Sequence, residues 1–425
     1  MSAVAKEWVP ALFGRSWRDP AAWATTADVF VILVALSLPW STTLVAIFAV
    51  GLLVSMCPFL DVRAFLQSLR RPICAVPIAL FVLAAVGTLW SDAPWAARLY
   101  AVGPTAKLLM LPVLLYHFER SARGMHVFIA FLVSCVLLLA MSWIVAFDPR
   151  LALKTNASYG VPVKNYIDQS QEFALCAVVL AYPIITLLRA KRTLPAVLLS
   201  AIALSFVVNM AFVIVSRTAL VTIPIMLAVF ALLHLKWRTI VVILCAAIVF
   251  AGLAWTTSPH LRRTTETFAR DYRLYKEENT PTSIGNRLEF WKKSLRFISE
   301  APIVGHGTGS IHALFQEAAV NQSGAAAEVV ANPHNQTLNV AIQWGLIGII
   351  VLYAMWLLHL LLFRGEGLAA WIGLMVVVQN IFTSLFNSHI TDFHAGWMYV
   401  LGVGIAAGMV LSTNSREAAL GTKAR

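Results

Sequence analysis

Charge is what this chain most lacks. Only 12% of its 425 residues are Asp, Glu, Lys or Arg, about half the share of a soluble globular domain. With 60% hydrophobic residues and a mean hydropathy of +0.78, the composition excludes an ordinary water-soluble enzyme and reads as a polytopic membrane protein. Cysteine is scarce as well. Cys57, Cys74, Cys135, Cys176 and Cys245 all fall in apolar runs, with no C-x-x-C pair, so they read as small buried hydrophobes rather than disulfides or ligands. No fixed-period repeat, low-complexity tract or phosphate-binding loop is present. The run GHGTGS (305–310) follows no buried strand and lacks Lys-Ser/Thr, so it reads as a tight, flexible turn. No cleavable signal peptide is expected, because the segment is polar up to Ala24 and the first apolar run has no small-residue cleavage site. The net charge of +12 is scattered through loops, so nothing points to nucleic acid.

What is present is a series of apolar runs of spanning length, near 25–40, 42–59, 72–91, 98–117, 123–147, 172–189, 194–215, 218–235, 239–256, 335–363, 368–387 and 394–412. The expected fold is all-α, a polytopic membrane protein of about twelve transmembrane helices with one large helical periplasmic loop. Basic residues set the orientation. With the N-terminus inside, the inner loops collect Lys6, Arg15, Arg18; Arg63, Arg70, Arg71; Arg120, Arg123; Arg189, Lys191, Arg192; Lys236, Arg238; Arg364; and Arg416, Lys423, Arg425. The short outer loops hold far fewer. The expected domains are residues 1–256 (nine spans), an outer loop domain 257–334, and residues 335–425 (three spans and a short cytoplasmic tail).

The outer loop carries its own pattern. Leu261 to Glu278 reads as a helix broken at Thr280-Pro281. A second helix begins near Asn286, with Leu288, Trp291, Leu295 and Ile298 on an apolar face and a Glu289–Lys293 pair on the other. Ala301-Pro302 ends it, and 310–330 reads as a third helix with an interruption at Ser323-Gly324.

Few residues offer chemistry. Arg217 is the one charge between Thr193 and His234. It either snorkels to the interface or meets water or an anion inside the membrane. Arg287 opens the amphipathic helix, with Trp291 one turn on as an interface anchor. His334 lies in N-P-H-N, where Pro333 cannot continue a helix backwards and Asn335 can cap one forwards. A helix N-terminus disfavours imidazolium, so His334 is expected to stay neutral and accept a proton near pH 7. Two further polar segments face outward: Lys164 in K-N-Y-I-D-Q-S-Q, and His389, Asp392 and His394 in N-S-H-I-T-D-F-H. Asp392 is a candidate to orient His334 as a carboxylate orients a catalytic imidazole. The histidine spacing matches no standard zinc pattern, so no metal and no cofactor is expected.

These residues resemble those of the bacterial O-antigen ligases. His334-Asn335, nine residues, then Gly345-Leu346-Ile347-Gly348 fits H-[NSQ]-x9-G-x-x-[GTY]. Arg287 and Trp291, then Pro302 followed by Gly305, Gly307 and Gly309, resemble the run before that histidine in the wider ligase/polymerase superfamily. Ser216-Arg217-Thr218-Ala219 resembles its intramembrane arginine. The resemblance implies transfer of O-antigen polysaccharide from undecaprenyl diphosphate to lipid A-core at the periplasmic face of the inner membrane. The transfer would invert the anomeric carbon and use no metal ion. Arg217 and Arg287 would clamp the diphosphate and His334 would act as general base, with Asn335, Trp291, Lys164, Asp392 and His389 around the substrates. Membrane lipids would be further partners, and a monomer is expected. Alternatives are an O-antigen polymerase, a protein O-oligosaccharyltransferase, or a lipid or polysaccharide transporter; the last often shows an internal repeat or paired broken helices, which this sequence lacks.

Overall fold

The computed structural model describes residues 19–154 and 159–423, and among these every regular element is helical. The first half comprises α1 (Pro20–Ser37), α2 (Thr42–Met56), α3 (Val62–Leu69), α4 (Pro72–Val86), α5 (Trp95–Val102), α6 (Met110–Phe118), α7 (Gly124–Phe147), α8 (Tyr166–Val179) and α9 (Ala181–Arg189). The second half comprises α10 (Thr193–Phe212), α11 (Arg217–His234), α12 (Trp237–Thr257), α13 (Pro259–Glu278), α14 (Ser283–Glu300), α15 (Ile311–Ala318), α16 (Gln336–Leu362), α17 (Leu368–Thr383) and α18 (Phe393–Lys423). Among the described residues nine stretches are long and apolar enough to cross a membrane, and the pair α3 and α4, bent by 79°, makes a tenth if taken as one. Two shorter apolar helices, Thr218–His234 and Leu368–Thr383, lie on the remaining runs. Nine, one and two thus fall on the twelve apolar runs, although only nine or ten have full spanning length. Of the basic residues used for orientation, Lys6, Arg15, Arg18, Arg425 and the side chains of Arg416 and Lys423 lie outside the described residues.

Local chemistry starts and stops these helices. Asp19 caps α1 and accepts from the Ala21 N–H, and Ser41 caps α2. Trp40, in the turn between them, donates to Ser134 Oγ at 2.8 Å, and Ser134 donates to the Leu36 carbonyl at 2.6 Å. Ser134 is ten residues into α7, roughly 15 Å along its axis. The α1–α2 hairpin therefore turns against the middle of α7. Its buried Asp28 is satisfied by His117, Ser121 and Arg123, the pairing that an acid in an apolar helix requires.

The polar segment 257–334 follows the expected order with three differences. Ser258 caps α13, and Asn279, in the left-handed conformation, ends it. Thr282 caps α14, which begins at Ser283, three residues before Asn286. The Leu288–Ile298 stripe is buried only in part: Trp291 and Ile298 pack half-buried against the core of this segment, while Leu295 is exposed. Glu289, Phe290, Ser294 and Phe297 are buried, the two phenylalanines packing with Ile311, Phe315 and Ile342. Tyr275, donating to Glu289 at 2.6 Å, satisfies the buried carboxylate. Glu289 does not pair with Lys293, whose ammonium goes to the Ala326 carbonyl, while Lys292 stands 3.7 Å from Glu289. Finally, 310–330 is no single helix: α15 stops at Ala318 and a short 3-10 turn covers Gly324–Ala327.

The glycine run is docked rather than free. Inside α16, Gly345 adopts φ +56°, ψ −149°, a region closed to other residues, and breaks the helical ladder there. The carbonyls of Ile342 and Gln343 accept from His306 N and Gly307 N, and the N–H groups of Leu346 and Ile347 donate to the carbonyls of Pro302 and Ile303. A Cβ on Gly345 would stand 2.4 Å from the Ile303 backbone. The segment 302–309 thus fastens α14 onto α16, one turn-and-a-half of backbone exchanged for another.

Candidate active site

His334 stands two residues before α16 with φ +53°. A non-glycine residue there is strained and persists only when its surroundings hold it. Asn332 Oδ1 accepts the His334 N–H at 2.9 Å and the Ser388 hydroxyl at 2.7 Å. The half-buried imidazole stacks on Phe290, ring centroids 6.1 Å apart at 27°. Asn335 caps α16, accepting from Leu338 N at 3.1 Å, and its amide donates to the Leu385 carbonyl at 3.2 Å. Its side chain is therefore committed to the fold rather than open to a substrate.

Asn387, which sequence reasoning passed over, is the immediate partner of the imidazole. His334 Nδ1 lies 3.0 Å from Asn387 Oδ1. The far side of that amide decides its orientation: Asn387 Nδ2 donates to Asp392 Oδ2 at 2.6 Å, and Asn332 Nδ2 donates to Asn387 Oδ1 at 3.1 Å. An oxygen faces Nδ1, so Nδ1 carries the proton of the neutral ring and Nε2 keeps its lone pair. The expected direct contact of Asp392 with His334 is corrected accordingly; Asp392 acts through the amide. His389 is buried behind it, 3.2 Å from Asp392 Oδ2 and 3.3 Å from Gln171 Nε2, so it buttresses the loop.

Burial lowers the His334 pKa below the usual imidazole range; the hydrogen bond to Asn387 opposes this, and the positive charge of Arg287 reinforces it. Neutrality was expected from the helix dipole, whereas burial is the leading cause here.

Arg287 connects this imidazole to a cavity of about 590 Å³. Its walls include Ser216 and Thr218, which flank position 217, together with Tyr166, His260, Arg263 and Arg287, and among the described residues that line it there is no Asp or Glu. The Arg217 side chain lies outside the described residues; its backbone opens α11 at this wall. Arg263, one helix away, is a cation that sequence reasoning did not select. Trp291 sits against the Phe290–Phe315 cluster, its indole N–H buried with no hydrogen-bond partner. Lys164 is engaged elsewhere: its ammonium stands 3.6 Å from Glu172 and bonds the Leu38 carbonyl, and burial pushes its pKa down. His394 pairs with Asp168 at 2.9 Å. Among the described residues no group of three or more His, Cys, Asp or Glu side chains is arranged to hold a metal ion.

The family model described as O-Antigen ligase matches residues 202–353. No curated protein matches the chain. The matched stretch runs from within α10 to within α16, so it contains the Ser216–Thr218 wall, α13, α14 and His334, and it stops before the loop that carries Asn387 and Asp392.

Proposed function

We propose that this chain, whose residues 202–353 match the family model described as O-Antigen ligase, belongs to the O-antigen ligase superfamily of glycosyltransferase-like enzymes acting on lipid-linked polysaccharides and is itself an O-antigen ligase. It transfers O-antigen polysaccharide from undecaprenyl diphosphate to lipid A-core at the periplasmic face of the bacterial inner membrane, with residues 257–334 as an outer domain over the site.

The observation that carries this reading is the contact of His334 Nδ1 with Asn387 Oδ1, from which the tautomer follows. A neutral imidazole with Nδ1 bonded to an amide oxygen presents Nε2 as a base. The acceptor hydroxyl gives its proton to Nε2 as its oxygen attacks the anomeric carbon from the face opposite the diphosphate. The bond from that carbon to the phosphate oxygen breaks, and the electron pair leaves with the diphosphate. The sugar passes through an oxocarbenium-like state, and the configuration inverts. Charge building on the leaving group is met by Arg287 and Arg263 in the cavity they line, and by Arg217 at its wall. Energy is supplied by the donor's own diphosphate, since this side of the membrane offers no nucleotide sugar. In this reading the arginines take the place of a divalent metal.

The test is reconstitution of the full chain with lipid-linked O-antigen, with and without lipid A-core, and with and without chelator. Product that requires lipid A-core and is indifferent to chelator is expected. Product lacking lipid A-core, with lengthened donor instead, would make the chain a polymerase, and movement of the donor without any product would make it a transporter.

A further inference from the structure

A second cavity, of about 840 Å³, lies at the other end of the bundle. Helices α11 and α16 begin beside the site just described, and the residues at their far ends, His234 and Phe363, line this second space. Along the 27 residues of α16 the separation is roughly 40 Å. The two cavities therefore open toward opposite faces.

Its floor and its rim differ in chemistry. The floor is aromatic: the His234 ring lies 5.5 Å from Tyr182, 5.2 Å from Phe230 and 5.2 Å from Trp371. The side open to lipid is apolar, with Leu232, Leu233 and Leu361 exposed by 78%, 59% and 45%. The rim carries Arg189 and Arg364 against a single carboxylate, Glu366. Arg189 donates once, to the His234 carbonyl at 3.2 Å, out of five donors on a guanidinium. The connectors beside it and the first turn of α12 add Lys191, Arg192, Lys236 and Arg238 and no acid.

We propose that this cavity binds an anionic phospholipid of the bilayer, its phosphate between Arg189 and Arg364 and its acyl chains along the exposed leucines. The excess of guanidinium over carboxylate favours a headgroup of net negative charge, and a zwitterionic lipid would bring its ammonium among the same cations. The exposed leucines call for hydrocarbon, which a free phosphate does not bring. The placement also matches the basic side of the chain, where an anionic leaflet is found.

The experiment is native mass spectrometry of the full chain, purified in phosphatidylcholine and titrated with phosphatidylglycerol. One phosphatidylglycerol is expected to stay bound under activation that strips phosphatidylcholine, with inorganic phosphate failing to displace it. The double substitution Arg189→Gln, Arg364→Gln should weaken this retention by roughly tenfold or more, and Glu366→Gln should strengthen it. As a control, Arg120→Gln, which removes a cation held over Tyr116, should leave it unchanged. Equal retention of both lipids, retention that survives the double substitution, or displacement by inorganic phosphate would each overturn the proposal. Should the double variant fail to fold, Glu366→Gln alone decides: unchanged or weaker retention counts against the site.

Discussion

The two ends of the bundle are both basic, yet they are built differently. At the His334 end, nearly every polar side chain has its direction decided by a neighbour. Asp392 orients Asn387, Asn387 orients His334, and Asn332 ties the His334 backbone to Ser388. At the opposite end, Arg189, at the last turn of α9, and Arg364, in the connector after α16, stand beside an apolar wall. The contrast teaches where precision resides. An oriented amide chain fixes a proton on one nitrogen, which a reaction requires; an exposed guanidinium supplies attraction without direction, which is enough to hold a headgroup.

The comparison breaks most sharply at His334. His334→Ala is expected to lower transfer by roughly 10²–10⁴-fold, while the protein still inserts and binds donor. A reconstituted rate near wild type would remove the base from His334. Next comes Arg287→Ala, expected to weaken donor binding by roughly tenfold to a hundredfold, the scale of a lost charge-assisted hydrogen bond; titration of lipid-linked donor reads this. The same variant removes a charge that lowers the His334 pKa, so the acid limb of the rate profile should also move to higher pH.

Asn387 sharpens the contrast further, since it orients without touching the reacting atoms. Asn387→Ala should cost roughly tenfold in rate, the usual scale for a residue that positions another. The sign of the pH shift separates this from simple loosening. The base works when neutral, and its pKa is below the ordinary value, so wild-type activity should persist below about pH 6.5 and fall only as pH drops through the lowered value. The Asn387 bond raises that pKa, so its loss should carry the acid limb lower. Asn387→Asp sets a carboxylate there and should carry it higher. A rate loss with an unmoved limb in both variants would reduce Asn387 to packing. Gly345→Ala should destabilise by about 1–3 kcal/mol through its positive φ, seen as a lower midpoint of thermal unfolding; an unchanged midpoint would mean the 302–309 segment is not fastened as described. The smallest effect belongs to the other end: Arg189→Gln, Arg364→Gln should leave transfer within about twofold, the scatter of surface substitutions, when measured in excess donor.

How legible this was depended on the range of the interaction. The apolar runs, the Asn335 cap, the Thr280-Pro281 stop and the Pro302 stop were all readable, because each is decided within a turn of helix. The face buried by α14 was legible only in part. Leu288 and Leu295 made the more hydrophobic stripe, but Phe290 and Phe297 found aromatic and aliphatic partners on α15 and α16. Leu295 stayed exposed. In the bundle, periodicity says still less: Trp237–Thr257 is more hydropathic than Phe393–Ser415, 2.4 against 1.6, yet 6% of it is buried against 78%. Where lipid is the solvent, apolar residues face outward as readily as inward. The packed helix is recognised by its small residues, Gly396, Gly402, Gly404 and Gly408, which let neighbours approach.

The amino-acid sequence by itself determined the membrane class, the order of helices, the polar segment 257–334 and the histidine at a helix mouth. Each of these follows from composition or from neighbours a few residues apart. Only the tertiary structure decided that Asn387, 53 residues downstream of His334, turns its oxygen toward the ring, and that Arg287, whose charge acts on that ring, also lines a cavity with no Asp or Glu among its described walls. The reason is that an amide has two chemically opposite ends of nearly equal shape. Which end faces the imidazole is settled by the group beyond it, here Asp392, and no local pattern in the chain carries that information.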